Sequence, residues 1–128
     1  MHAVSRLQKE LEARVDRVVR ETKASFPPDL RALADRVPAC CEWKIAAHWL
    51  EDGVMPDTMG LFSGPSLADP DAPDCFEAPR ITFFLAELWD FCEEDFAAFD
   101  EEVRITYVHE FGHYLGLEEA DLEARGLV

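Results

Sequence analysis

Apolar residues fall at helical spacing towards both ends of this chain and at strand spacing between them. Leu7, Leu11, Val15, Val18 and Val19 recur at three- and four-residue steps among Arg, Lys and Glu, which predicts an amphipathic helix over residues 3–24. Pro27 and Pro28 break it. Pro28 can open a second short helix through residues 29–34, which Pro38 closes. The two helices read as a scaffold that buries one face of a sheet. From Cys41 to Leu50, Trp43, Ile45, Ala47 and Trp49 alternate with Glu42, Lys44, Ala46 and His48, which is strand periodicity. Residues 51–53 make a turn, residues 58–62 a second short strand, and residues 80–84, after Pro79, a third. Between them, residues 63–79 are rich in Pro, Asp, Ser and Gly and read as one long loop. Helical steps resume at Leu85, Leu88, Trp89, Cys92, Phe96 and Phe99. A last helix is expected from an N-cap at Asp100 to Leu115, with Gly116 ending it.

These elements predict an α+β fold: a small mixed sheet of about three strands, packed with N-terminal helices and a C-terminal helix, in one domain over residues 1–128. An apolar fraction of 48% with 11% aromatics supplies a core. The N-terminus has no apolar segment of a secretory signal, and no run approaches the roughly 20 residues that span a bilayer. A cytoplasmic location is expected. The net charge of −15, from 27 acids against 12 bases, argues against nucleic acid and anionic membranes as partners and leaves basic peptides or proteins open. The four cysteines form no C-x-x-C pair and read as reduced thiols.

The chemistry concentrates in Val108-His109-Glu110-Phe111-Gly112-His113-Tyr114-Leu115-Gly116-Leu117-Glu118-Glu119. Two His at i and i+4 share a helical face, so both imidazoles can converge on one metal ion. Glu110 lies about 100° round the helix from His109, beside that face, which suits a base acting on water at the metal. After Gly116 the chain can turn and return an acid as third ligand. The spacing H-x-x-G-x-x-E selects Glu119, with Glu118 as its competitor. Only nine residues follow Glu119, so no further helix is expected to deliver a distant ligand. On the same helix, Val103, Tyr107, Val108, Phe111 and Leu115 should face the core, and Ile105, Gly112 and both His the cleft. Arg104 should reach solvent from the first turn. Gly112, costly mid-helix, suggests close approach of another backbone or of substrate. Tyr107 and Tyr114 read as packing residues, as do Met55 and Met59.

The stretch from Arg104 through Glu119 to Leu122 resembles the small zincin-like metallopeptidase family, sometimes called minimal zincins. Residues 80–82, residues 59–62 with Gly64, and residues 28–30 also look similar; the likeness covers residues 15–128, strongly over the last fifty and loosely before that. The resemblance implies a Zn2+ cofactor, with His109 and His113 as ligands, Glu110 as general base and Glu119 where the family usually has Asp. It implies zinc-assisted hydrolysis of a peptide or protein substrate. The Arg80–Phe84 strand would run above the metal helix and receive an extended substrate by strand addition. Two other readings remain: a non-catalytic zinc-binding acidic adaptor for a basic partner, and an acidic interaction module holding no metal.

Overall fold

The computed structural model describes residues 5–69 and 78–126, the side chain of Glu119 excepted. The middle of the long loop, with Asp71, Asp74 and Cys75, therefore lies outside the described residues. Helix α1 spans Arg6–Ser25, and its N-cap Ser5 accepts a hydrogen bond from the Gln8 N–H at 3.0 Å. Helix α2, Pro28–Ala34, begins on its proline. Strand β1, Ala39–Glu42, is followed by helix α3, Ala47–Glu51, strand β2, Gly60–Ser63, and strand β3, Arg80–Phe84. Helices α4, Leu85–Phe91, α5, Phe96–Leu115, and α6, Glu119–Ala124, complete the described chain. The sheet order is β1-β3-β2, with β1 parallel and β2 antiparallel to β3, so the α+β expectation with a three-stranded mixed sheet is met.

The core lies between the sheet and helices α1 and α5. Leu11, Val15 and Val18 meet Ile81 and Phe83 from the sheet and Val103, Tyr107, Val108 and Phe111 from α5. Phe26, just past α1, stacks on Phe111 at 5.4 Å and on Tyr107 at 6.3 Å. Arg14 and Arg17 both reach Asp100 Oδ2, at 2.8 and 2.7 Å, and tie α1 to α5. Tyr107 is fully enclosed. Burial raises its phenol pKa above the ordinary range, and Asp35 adds to the effect.

Several expectations change, each for a visible reason. The strand predicted over residues 41–50 is shorter and earlier, and residues 47–51 are helical. β3 gives way to α4 at Leu85, so β1 has no partner past Glu42. Its last link is Ala86 N–H to Trp43 O at 2.9 Å, and beyond it the backbone satisfies itself in a helical turn. The helix that carries the motif starts four residues before Asp100. Glu93 and Glu94 take left-handed φ values of 53° and 58°, which breaks the chain after α4. Asp95 then caps α5, accepting from the Ala97 and Ala98 N–H groups at 2.9 and 3.2 Å. Asp100 is thus inside the helix with its carboxylate on two arginines. Arg104 is also mid-helix and pairs with Glu101 at 2.6 Å. Met55 is 64% exposed rather than core, because it sits in a surface turn closed by Thr58 N–H to Met55 O at 3.1 Å. Met59 does pack against the core.

The short C-terminus also folds further than expected: six residues form α6. The Asp121 carboxylate accepts the Glu118 N–H at 3.2 Å, which starts the helix, and Leu122 docks it. Among the described residues, no helix is long and apolar enough to cross a membrane.

Candidate metal centre

Helix α5 presents the motif on a face left open by the core. Val103, Tyr107, Val108 and Phe111 are buried, while His109 and His113 are exposed and Ile105 is 42% exposed. One ligand atom each from His109, Glu110 and His113 lie within 4.8 Å of one another. The two imidazoles stand 4.7 Å apart between centroids, at 67° to each other. Zinc binds nitrogen at about 2.0–2.1 Å, so tetrahedral ligand atoms lie about 3.3 Å apart. The observed spread is of that order, and both imidazoles lie on the exposed face of the helix. The donor set fits a metal ion of the kind two imidazoles favour.

Glu110 differs from the two histidines because its side chain is buried. Its Oε1 accepts the main-chain N–H of Phe62 at 2.8 Å and lies 3.3 Å from His113 Nδ1. Strand β2 comes this close to α5 because residue 60 is glycine. A Cβ there would collide with Thr106 Cγ2, and the Glu110 Cγ lies 3.8 Å from the same position. The Phe62 ring rests against Tyr114 at 5.9 Å.

The turn after α5 is built from two further close approaches. Gly116 has φ 74°, and its N–H bonds His113 O at 3.1 Å while Leu117 N–H bonds Gly112 O at 2.9 Å, the paired closure that ends a helix. A Cβ on Gly116 would lie 2.7 Å from the Ala68 Cβ, and Leu67 N–H bonds Tyr114 O at 2.8 Å, so the chain after β2 folds along this helix end. Gly112 makes room for Leu122, whose Cδ1 would lie 2.8 Å from an added Cβ. The close neighbour is therefore a side chain of α6, not substrate or backbone.

The structure brings His109, Glu110 and His113 together. Glu119 opens α6, but its side chain lies outside the described residues, and Glu118 is exposed at the helix start. Sequence reasoning missed the Phe62 N–H, which no side-chain pattern can reveal. Gly60, a glycine at the head of an apolar strand, was the available signal. The expectation that Arg80–Phe84 receives a substrate strand is overturned. β3 is the central strand, with β1 and β2 on its two edges. His48 is exposed on α3 beside Trp49, at 4.7 Å. A cavity of about 840 Å³ between α1 and α5 is lined by Arg17, Phe26, Arg104 and Val108 among others, and by none of His109, Glu110 and His113.

A family model described as zincin-like metallopeptidase matches residues 35–127, which include the whole sheet, the motif helix and α6. No curated protein matches the chain.

Proposed function

The chain belongs to the zincin-like metallopeptidase family, and we propose that it hydrolyses peptide bonds at the His109, Glu110 and His113 site. The observation that carries this reading is the separation of roles on one helix: two exposed imidazoles and one buried carboxylate held by a main-chain N–H. Zinc is the proposed ion, held by His109, His113 and an acid of the turn, Glu119 by spacing. Bound zinc lowers the pKa of water towards about 7 and polarises a carbonyl oxygen.

The protein groups do the rest. Glu110 keeps Oε1 on the Phe62 N–H, which leaves Oε2 to take a proton from the attacking water. The water oxygen adds to the carbonyl carbon, the carbon–nitrogen bond breaks, and Glu110 returns the proton to the leaving amine. The substrate is a peptide or protein segment in extended form. The outer edge of β2 replaces β3 as the strand it would pair with, because that edge faces α5 and has no strand partner among the described residues. The acidic surface disfavours nucleic acid and anionic membranes as partners, and a cytoplasmic location remains our reading from the sequence.

The test is Glu110→Gln in zinc-loaded protein, assayed on a mixed peptide library. Retained zinc with hydrolysis lowered by about 10²–10⁴-fold supports the reading. Full activity in that variant overturns it. Tightly held zinc with no hydrolysis by the unaltered protein, and unfolding on chelation, would identify the adaptor instead.

A further inference from the structure

Alternate residues of β2 turn their main-chain groups away from β3. Met59 accepts the Phe84 N–H at 2.9 Å and Leu61 stands opposite Thr82, so Gly60 and Phe62 point their N–H and C=O groups outward. At an ordinary sheet edge these groups would meet water. Here the Phe62 N–H is spent on Glu110 Oε1 at 2.8 Å. Oε1 also makes the 3.3 Å contact with His113, and no hydrogen bond or ion pair among the described residues engages Oε2.

We infer that β2 sets the geometry of the base: the Phe62 N–H and the missing side chain of Gly60 are positioning groups for the Glu110 carboxylate. The inference rests on Glu110 being the general base. A glutamate on a helix has three rotatable side-chain bonds, and a free carboxylate would sample several directions. The Phe62 N–H removes that freedom by fixing one oxygen, so the other always faces the same place. Gly60 makes this possible, because the Thr106 methyl occupies the space a Cβ would take. The same strand would carry an extended substrate, so one element registers both the scissile bond and the group that moves its proton.

A buried carboxylate also needs a partner merely to be buried, so the experiment must separate positioning from satisfaction. Three alterations of β2 and its contact address it, with Glu110→Ala as the reference for the first readout. Gly60→Ala drives β2 from α5. Adding Thr106→Ser deletes the obstructing methyl, and the next atoms from an added Cβ are Thr82 O at 3.6 Å and Glu110 Cγ at 3.8 Å, ordinary contacts. Replacing Phe62 with its α-hydroxy analogue makes the preceding link an ester, which deletes the N–H and keeps the side chain, while weakening the Leu61 carbonyl as an acceptor in the ladder with Thr82. If Gly60→Ala does not fold, the ester protein carries the test.

The first readout is amide exchange at Phe62 in zinc-loaded protein, expected to rise by about tenfold or more in Glu110→Ala and in Gly60→Ala. The second is kinetic. Gly60→Ala and the ester should lower kcat by about 10- to 100-fold, the scale of a misplaced catalytic group, with KM and zinc affinity little changed. Thr106→Ser should restore kcat and amide protection together in the Gly60→Ala background. The inference is overturned if the ester protein keeps full kcat, if KM rises while kcat holds, or if Glu110→Ala leaves Phe62 exchange unchanged. Absence of hydrolysis by the unaltered zinc-loaded protein would instead remove the peptidase reading itself, whatever the amide shows.

Discussion

Truncating Leu122 to Ala should loosen the metal centre without unfolding the protein. Leu122 is 2% exposed and fills the space above Gly112, between the two His positions on α5. It is the only buried apolar side chain among the described residues of α6. A six-residue helix has no stability of its own, so this contact and the turn at Gly116 hold it in place. Burying a leucine contributes about 1.5–3 kcal/mol, and the alanine variant loses most of that. The loss falls on docking of α6, because the rest of the core does not depend on it. If an acid of the turn, Glu119 or Glu118, is the third ligand, undocking also withdraws that ligand. At about 1.4 kcal/mol per tenfold, zinc affinity should weaken by roughly 10- to 150-fold. Chelator competition measures the affinity, and amide exchange at Leu122 and Arg125, both bonded within α6, measures the undocking. Freed α6 amides with unchanged zinc affinity would refute the reasoning. The third ligand would then come from outside the C-terminal turn.

Two further outcomes follow from the fold. Asp95→Ala removes the side chain that caps α5 through two N–H groups and should cost about 1 kcal/mol in urea unfolding, whereas the Asp100 first expected there caps nothing. Burial, reinforced by Glu12, pushes the Cys41 thiol from 9.0 up to about 12. The unfolded chain releases this proton near 9 while the folded chain keeps it, so stability should fall as pH rises from 9 towards 12. Urea titrations at pH 8 and 10 read the slope, and Cys41→Ala should flatten it. An unchanged slope would show that the thiol is not the cause.

The motif was readable because it obeys one helix's periodicity: the positions of His109, Glu110 and His113 depend only on their own spacing. Helix α1 and strand β3 were readable for the same reason, each having a single strong period and a proline beside it. What failed depended on distant partners. Residues 43–50 alternate like a strand, yet a strand exists only where a neighbour supplies hydrogen bonds, and β3 ends opposite Glu42. The start of α5 was misplaced because Asp95 and Asp100 are both competent caps. The arginines of α1, more than eighty residues away, decide between them. The Phe62 N–H belongs to the backbone and leaves no mark in side-chain chemistry. α6 looked too short to form because its stability lies in a socket on another helix.

Phe26 has a consequence for where this protein can be cut. The residues that match the family begin at Asp35, after α1 and Phe26, so the chemistry has a shorter footprint than the packing that supports it. Phe26 stacks on Phe111 and Tyr107, two rings on the side of α5 away from the imidazoles, and Leu11, Val15 and Val18 share the same core. A fragment trimmed to the matching region would keep each residue of the motif and strip the cover from the helix that carries it. Two aromatic rings, with Val103 and Val108 beside them on α5, would lose the cover of α1, a surface that favours self-association over catalysis. Any segment standing in for α1 would have to seat an aromatic against those rings and bring two cations to Asp100, so the cover is bound to the motif helix by charge as well as by packing.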